Sequence, residues 1–391
     1  MSLVRRLANC ARARRKVAAT QRNCLSSRQN NFDRYLLQSE GVTMNLNVID
    51  LFSSTQFGAS EAWAISTEGV VVASALNSPG LVWIPDTPNG LTGNEYALPA
   101  EISPGLRPVS SSQPLGINSQ RIVVGVCSTV DFNNNPVDRA FSYTPGDSFL
   151  VDLGTFDYDP VTGVSLGTSS AYGINGAGQI VGTADDANGV KKAFLRQPGI
   201  GQVLTDVLPS NAPSEGLAIG DRLMGGRATF FDPLGNSMQQ AFSYDVVSGA
   251  LTPLGTLVVD PFTGRSFGAS RATGVSRIGN VAGVSESPPI ITVGVLFNFP
   301  TIPLSAVESE ARAAAEVPSG VMVVGRFWPT PGGPSSGFVY DTVSGFQDLN
   351  AMISDPDWHI DNATGVNEQG QICAIGSNTS GASPRGLLLS R

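Results

Sequence analysis

The chain has 391 residues, of which only 14% are charged, and its formal net charge is −8. No run of about 18 apolar residues occurs, so no membrane-spanning helix is predicted. The 44 glycines and 26 prolines are typical of short strands separated by many turns.

The first predicted segment is a basic arm over residues 1–43. It holds nine arginines and lysines against Asp33 and Glu40, a balance of +7, which leaves −15 for residues 44–391. Three interpretations stay open: a disordered extension upstream of Met44, an Arg-rich and acid-poor targeting peptide, and a basic tail that binds nucleic acid or acidic surfaces. The arm lacks the continuous apolar core of a secretory signal. The acidic remainder is a poor electrostatic match for nucleic acid or anionic membranes.

A seven-residue phrase, Ser-x-Ala-x-Gly-Ile-Asn in its fullest form, recurs seven times after the arm. Its copies begin at Ser60, Ser112, Ser169, Ser214, Ser270, Ser309 and, with the first residue changed, Asp361. The spacings are 52, 57, 45, 56, 39 and 52 residues. This period predicts one small four-stranded sheet per repeat.

The third copy shows the predicted unit most clearly. The phrase forms the first strand, residues 175–178 form a hairpin turn, and residues 179–182 form the second strand. The apolar runs 193–195 and 205–208 follow as the third and fourth strands. Small residues dominate the first strand and aromatic residues the third. We therefore expect the first strand at a crowded axis and the third in the packing between sheets.

The two ends of the repeat array predict a closed ring. The last unit stops at Arg391 after its third strand, whereas an orphan fourth-strand phrase, Asp50-Leu51-Phe52, precedes the first unit. If residues 45–52 complete the last sheet, no unpaired strand edge remains. The sequence thus predicts an all-β fold, a seven-bladed β-propeller over residues 44–391 closed by its own N-terminal strand.

These phrases resemble the HAF repeat of bacterial proteins, a repeat described as extracellular. The run from Ala140 to Gly182 contains its successive elements: Ala-Phe-Ser-Tyr, Asp-Leu-Gly-Thr, Ser-Ser-Ala-Tyr-Gly-Ile-Asn and Gly-Gln-Ile-Val-Gly. The resemblance covers residues 45 to 391. It implies an extracellular or cell-surface binding protein, and it carries over no catalytic residue.

Few residues have the spacing of a catalytic or metal site. His359 is the only histidine, and there is no Cys-x-x-Cys knuckle. Cys127 and Cys373 fall in second strands of different units, so we expect buried thiols without a disulfide. No cofactor is predicted, except that one acidic cluster could hold a divalent cation. In an extended segment its alternate side chains would share a face, namely Asp355, Asp357, His359 and Asp361. The alternative is a solvated loop in which Asp361 replaces the repeating serine.

The residue that follows each repeating serine is the main candidate ligand contact. All seven are polar, and they are Glu61, Gln113, Ser170, Glu215, Arg271, Glu310 and Asn362. In a ring they would surround one mouth of the central channel, with Arg271 as a counter-charge to the glutamates. The alternative is that they merely solvate the rim.

Two similar insertions, residues 159–167 and 260–268, join a fourth strand to the next first strand. We expect both on the same end as the glutamates, where loops commonly serve recognition. They could equally be inherited duplicates without a binding role. The Asn-rich residues 131–135 are interpreted as a plain turn at the opposite end.

These patterns favour a monomeric, non-catalytic propeller that binds a protein or a carbohydrate. The alternative is a carbohydrate-active enzyme, a glycoside hydrolase or lyase, that uses Glu61, Glu215 and Glu310 as acid and base.

Overall fold

The computed structural model describes residues 45–53, 59–76, 78–199, 204–208, 212–231, 235–260, 266–287, 291–297, 301–379 and 381–391. The basic arm and residues 261–265 of the second insertion lie outside these ranges. Within them, no helix is long and apolar enough to cross a membrane.

The described residues form a seven-bladed β-propeller of four-stranded antiparallel blades, as predicted. Blade 1 contains β2 (Ser60–Ile65), β3 (Val71–Ala75), β4 (Leu81–Pro85) and β5 (Gly93–Ala97). Blade 2 contains β8 (Ser111–Ile117), β9 (Val123–Val130), β10 (Pro136–Tyr143) and β11 (Leu150–Asp152). Blade 3 contains β12 (Ser169–Ile174), β13 (Ile180–Asp185), β14 (Lys191–Arg196) and β15 (Thr205–Asp206). Blade 4 contains β16 (Ser214–Ile219), β17 (Leu223–Phe231), β18 (Ser237–Asp245) and β19 (Leu251–Gly255). Blade 5 contains β22 (Ser270–Val275), β23 (Val281–Ser287), β24 (Ile291–Leu296) and β25 (Ile302–Pro303). Blade 6 contains β26 (Ser309–Val317), β27 (Gly320–Phe327), β28 (Ser336–Asp341) and β29 (Gly345–Asp348). Blade 7 contains β30 (Trp358–Val366), β31 (Ile372–Asn378), β32 (Gly381–Ser390) and β1 (Asn47–Asp50).

The N-terminal strand closes the ring. Strand β1 pairs antiparallel with β32, with Asn47 opposite Ser390 and Asp50 opposite Leu387. Phe52, just beyond β1, is fully buried. The ion pair between Arg385 and Asp50, at 2.8 Å, fixes the same junction.

The repeating serine joins each blade to the one before it. Its hydroxyl accepts a hydrogen bond from a backbone N–H on the third strand of the preceding blade. Six such bonds, 2.7–3.0 Å long, are present: Gly80 to Ser112, Ala140 to Ser169, Ala193 to Ser214, Ala241 to Ser270, Gly294 to Ser309 and Gly386 to Ser60. These serines are at most 5% exposed. Since a buried N–H without a partner is costly, the serine stabilises these six junctions between blades.

The asparagine that ends the phrase makes a second set of links. The Asn175 carboxamide oxygen accepts from the backbone N–H groups of Ala177 and Gln179, which fixes the hairpin turn. Its amide nitrogen donates to the carbonyl of Gly220 in blade 4 at 3.0 Å. Asn367 repeats this arrangement across the closure, where it donates to the carbonyl of Ser66 at 3.2 Å.

The packing between blades is apolar, as predicted for the third strands. Their aromatic residues Phe141, Phe194, Phe242 and Phe338 are fully buried. In one interface Phe194 packs with Val124 and Ala140 of the preceding blade. Cys127 and Cys373 are buried free thiols, as expected. Burial raises the pKa of each to about 12, so both stay protonated.

Two hairpins lie outside the repeat pattern and were not predicted. The first comprises β6 (Glu101–Ser103) and β7 (Arg107–Pro108), and β6 pairs parallel with β11, so blade 2 has six strands. Buried Arg107 donates to Asp152 at 2.7 Å and holds this hairpin in place. The second comprises β20 (Val258–Val259) and β21 (Ser266–Phe267), at the ends of the second insertion.

Candidate functional site

Every first strand has a β-bulge at the same place, the fourth residue of the phrase. In blade 1, for example, Ala62 pairs with Ala73 and Ala64 with Val72, which leaves Trp63 unpaired. The same register shift recurs in all seven blades. A bulge re-aims the unpaired side chain. The seven bulge residues line one cavity at the axis, and we call them the channel ring: Trp63, Leu115, Tyr172, Leu217, Thr273, Arg312 and Thr364.

The channel ring is chemically mixed. Two aromatic residues and two leucines share a cavity of about 170 Å³ with a single charged side chain, Arg312. Both threonine hydroxyls donate to the next blade, Thr273 to the carbonyl of Ala311 at 2.6 Å and Thr364 to that of Ala62 at 2.8 Å. This ring was not predicted from the sequence. The sequence feature that could have revealed the ring is the fourth position of the phrase, which varies in a phrase that is otherwise repetitive.

A tight approach of the second strand accompanies the bulge in blades 2 to 6. A Cβ on Gly182 would overlap the carbonyl oxygen of Ser170 and the ring of Phe194, and one on Gly226 would overlap the carbonyl of Glu215. The glycine that ends the Ile-Val-Gly run therefore lets the second strand approach the bulged first strand closely.

The predicted rim residues fall into separate groups. Glu61 and Gln113 line a groove of about 620 Å³ between blades 1 and 2, together with Ser74, Ser128 and Asp138. Arg271 and Glu310 line a smaller groove of about 160 Å³ at blades 4 to 6. Ser170 is partly exposed, and Asn362 is only 8% exposed, with a buried Oδ1 that has no hydrogen-bond partner among the residues that the structure describes.

Glu310 lies at the centre of an arginine cluster. Its carboxylate contacts Arg271 of blade 5 at 3.1 Å, Arg312 at 2.7 Å and Arg326 at 2.9 Å. Burial alone would raise the pKa of Glu310, but the three guanidinium groups outweigh it and hold the pKa below its ordinary value. Three arginines around one carboxylate leave a formal surplus of two positive charges.

Glu215 is also neutralised by an arginine. Both of its carboxylate oxygens accept hydrogen bonds from Arg227, at 2.7 and 2.9 Å. A general acid in glycoside cleavage needs a raised pKa. Glu310 has a lowered one and Glu215 is held by Arg227, so these two carboxylates are suited to holding arginines rather than to donating protons.

The structure does not gather the predicted metal ligands. No group of three His, Cys, Asp or Glu side chains that could hold a metal ion occurs among the described residues. The expected extended segment begins only at Trp358, because Asp355 and Asp357 form a turn in which the Asp357 N–H donates to Asp355 Oδ1 at 3.0 Å. His359 Nε2 lies 3.1 Å from the carbonyl of Ser335. Since a carbonyl only accepts, this nitrogen carries a proton and is unavailable as a ligand.

The hypothesis that Asp361 replaces the repeating serine is also corrected. In blade 7 Ile360 pairs with Gly376 and Asn362 with Ile375, so Asp361 is an extra bulged residue. Buried Ile360 fills the place of the serine, and a Cβ on Gly337 of blade 6 would collide with it. Burial raises the pKa of Asp361, and His359, 3.6 Å away, offsets this only in part.

The Asn-rich turn lies at the end opposite to the predicted one. Residues 131–135 join β9 to β10, a second strand to a third. In an up-and-down blade this connection is at the end where the first strand begins, together with the rim. Asp131 Oδ1 accepts from the N–H groups of Asn133 and Asn135, both at 2.8 Å, so it is the expected turn.

The first insertion is an ordered loop on the same end. Asp159 Oδ1 accepts from the N–H groups of Val161 and Thr162, at 2.8 and 3.2 Å. Buried Arg139 donates to the carbonyls of Ser165 and Leu166 and anchors the loop. Val161 at its tip is 91% exposed.

The other mouth of the channel is charged and was not predicted as a site. Arg277 of blade 5 reaches Glu368 of blade 7 at 2.6 Å and Asp221 of blade 4 at 3.5 Å. The cavity there, of about 210 Å³, also contains Glu316 and hairpin residues such as Asn175. Ion pairs thus partly span this mouth.

No family model matches the chain, and no curated protein matches it. Among solved structures, the β-propeller domain of the trilobed protease of Pyrococcus furiosus is 8% identical, with 85% of this chain and 95% of that one covered and a TM-score of 0.49. A puromycin-hydrolysing peptidase of Mycobacterium tuberculosis is 12% identical, with 76% and 46% covered and a TM-score of 0.47. TolB of Acinetobacter baumannii is 14% identical, with 75% and 63% covered and a TM-score of 0.40. The chain spans less than half of the peptidase's length, and these similarities concern the fold alone.

Proposed function

We propose that this chain is a non-catalytic binding module whose recognition face is the end of the propeller where the first strands begin. The observation that carries the proposal is the groove of about 620 Å³ between blades 1 and 2. Its lining of serine hydroxyls, Glu61, Gln113 and Asp138 offers both donors and acceptors to a ligand.

The polar groups of this groove are held in fixed positions. Ser128 donates to Asp138 at 2.7 Å, and the Trp63 indole donates to Ser74 at 2.8 Å. Exposed Leu76 adds an apolar surface. Oriented hydroxyls and carboxylates next to an apolar patch suit a hydroxylated ligand, which favours a carbohydrate over a protein partner.

We also propose that the chain is a member of the HAF-repeat family. The phrases that resemble the HAF repeat occupy equivalent positions in successive blades, with the serine at the junction between blades and the asparagine at the hairpin. Membership would imply a surface or secreted protein, which fits a recognition role.

A glycan array and a panel of folded proteins, probed with residues 44–391, would test the proposal. Glu61→Gln and Gln113→Ala should weaken binding of the ligand found. Glu68→Gln, an exposed glutamate at the opposite end that pairs with Arg121, is the matched control and should bind as the parent does. Loss of binding in the control alone would transfer recognition to the opposite end. Release of reducing sugar by the parent would instead support the enzyme alternative.

A further inference from the structure

We infer that the central channel binds the carboxylate of a small organic ligand, with the guanidinium of Arg312 as its anchor. The inference goes beyond the proposed recognition face, because the channel ring and the groove between blades 1 and 2 are separate cavities.

The position of Arg312 is the first step of the argument. It is the bulge residue of blade 6, between Ala311 and Ala313, which pair with Gly325 and Val324. It is the one charged side chain among the described residues that line the cavity of the channel ring, and its side chain is 30% exposed. The backbone register therefore directs a cation into a cavity that is otherwise apolar or hydroxylated.

The hydrogen bonds of Arg312 leave donors unused. Among the described residues they go to Glu310 alone, from Nη2 at 2.7 Å. Nε is buried and has no hydrogen-bond partner within the described part of the chain. Glu310 is shared with Arg271 and Arg326, so it does not neutralise Arg312 on its own. Burial lowers the pKa of Arg312, yet a guanidinium stays charged in proteins. A cation whose charge is incompletely compensated favours an anionic partner.

The shape of the donors selects the type of anion. A guanidinium presents parallel N–H groups that match the two oxygens of a carboxylate. Trp63 and Tyr172, with Leu115 and Leu217, supply aromatic and apolar walls in the same cavity. The ligand should therefore carry a carboxylate on a ring or a short apolar body. An acidic monosaccharide and the carboxyl end of a peptide share this chemistry.

Isothermal titration calorimetry on the full chain tests the inference with two probe pairs. Sodium glucuronate is compared with glucuronamide, and N-acetylphenylalanine with its amide. We expect at least one carboxylate to bind more tightly than its neutral amide, by about tenfold or more, since hydrogen bonds between charged groups are the stronger ones. The pair that shows this difference identifies the source of the carboxylate.

Variants locate the site in the channel. Arg312→Gln should lose about tenfold or more in affinity, and Arg312→Lys should lose less because it keeps the charge. Arg227→Gln removes a comparable pair with Glu215 outside the channel and should bind as the parent does. Thermal unfolding checks that each variant folds. If Arg312→Gln does not fold, the affinity of Arg312→Lys and the comparison of each carboxylate with its neutral amide test the inference instead.

Three results would overturn the inference: saturation by neither carboxylate, equal binding of carboxylate and amide, or undiminished binding by a folded Arg312→Gln. None of these results bears on the recognition face. That face is tested by a different ligand and by Glu61.

Discussion

The hydroxyl of Ser60 accepts a hydrogen bond from the backbone N–H of Gly386 at 3.0 Å, although 326 residues separate the two in the chain. This contact joins blade 7 to blade 1 by the same geometry that joins five other pairs of neighbouring blades. The ring is thus closed by repeat chemistry as well as by the N-terminal strand.

Ser60→Ala should destabilise the propeller by about 1–3 kcal/mol, because the buried Gly386 N–H would lose its acceptor. Urea unfolding monitored by tryptophan fluorescence measures the change. Ser148→Ala, at an exposed serine, is the control and should shift stability by less than about 0.5 kcal/mol. Equal stability of the two variants would show that the hydroxyl is dispensable.

The closing strand predicts a difference between two truncations. Removal of residues 1–43 should be tolerated, since the described propeller begins at Asn45. Removal of residues 1–53 also takes away β1 and buried Phe52, so the third strand of blade 7 becomes an exposed edge. We expect a lower melting temperature and concentration-dependent aggregation by light scattering. Identical melting of the two proteins would contradict closure by β1.

Much of this fold could be predicted because each repeat is specified by short sequence patterns whose structural reasons are local. The small residues, the hairpin asparagine and the orphan strand before Ser60 each have a structural reason that a single sequence reveals. The six-stranded blade 2 could not be foreseen, since residues 101–108 carry no repeat phrase and pair with β11 by a parallel contact.

The candidate site was less predictable for a geometric reason. Arg271 was expected as a counter-charge and does contact Glu310. Arg312 could not be placed, because simple alternation along a strand gives no bulge, and a bulge is defined only by the register with the partner strand. The Asp361 hypothesis failed for the same reason, as a second bulge in β30 moves Ile360 into the place of the serine.

The close approach at the bulges of blades 2 to 6 leads to a prediction for their second strands. Gly182→Ala should cost about 1–3 kcal/mol, because the added methyl meets the Ser170 carbonyl and the Phe194 ring. Gly176→Ala, in an exposed turn with no atom closer than 3.9 Å to the new Cβ, is the control and should be nearly neutral. The comparison uses urea midpoints at constant m-value. An equal effect of both substitutions would mean that the inner strand adjusts freely.

The last prediction concerns the arginine cluster and pH. Glu310 has a lowered pKa in the folded protein, so its ion pairs stabilise the fold at every pH above 4.5, the pKa of this group in the unfolded chain. This stabilisation is lost as the pH falls through the lower pKa of the folded protein. Glu310→Gln should therefore destabilise the protein at pH 7, by about 1.5–3 kcal/mol. The deficit relative to the parent should shrink as the medium becomes more acidic than pH 4.5. Glu61→Gln is the control, expected within about 0.5 kcal/mol of the parent. Urea unfolding of all three proteins across this pH range measures the difference, and a deficit that does not change with pH would assign the effect of Glu310 to packing instead of charge.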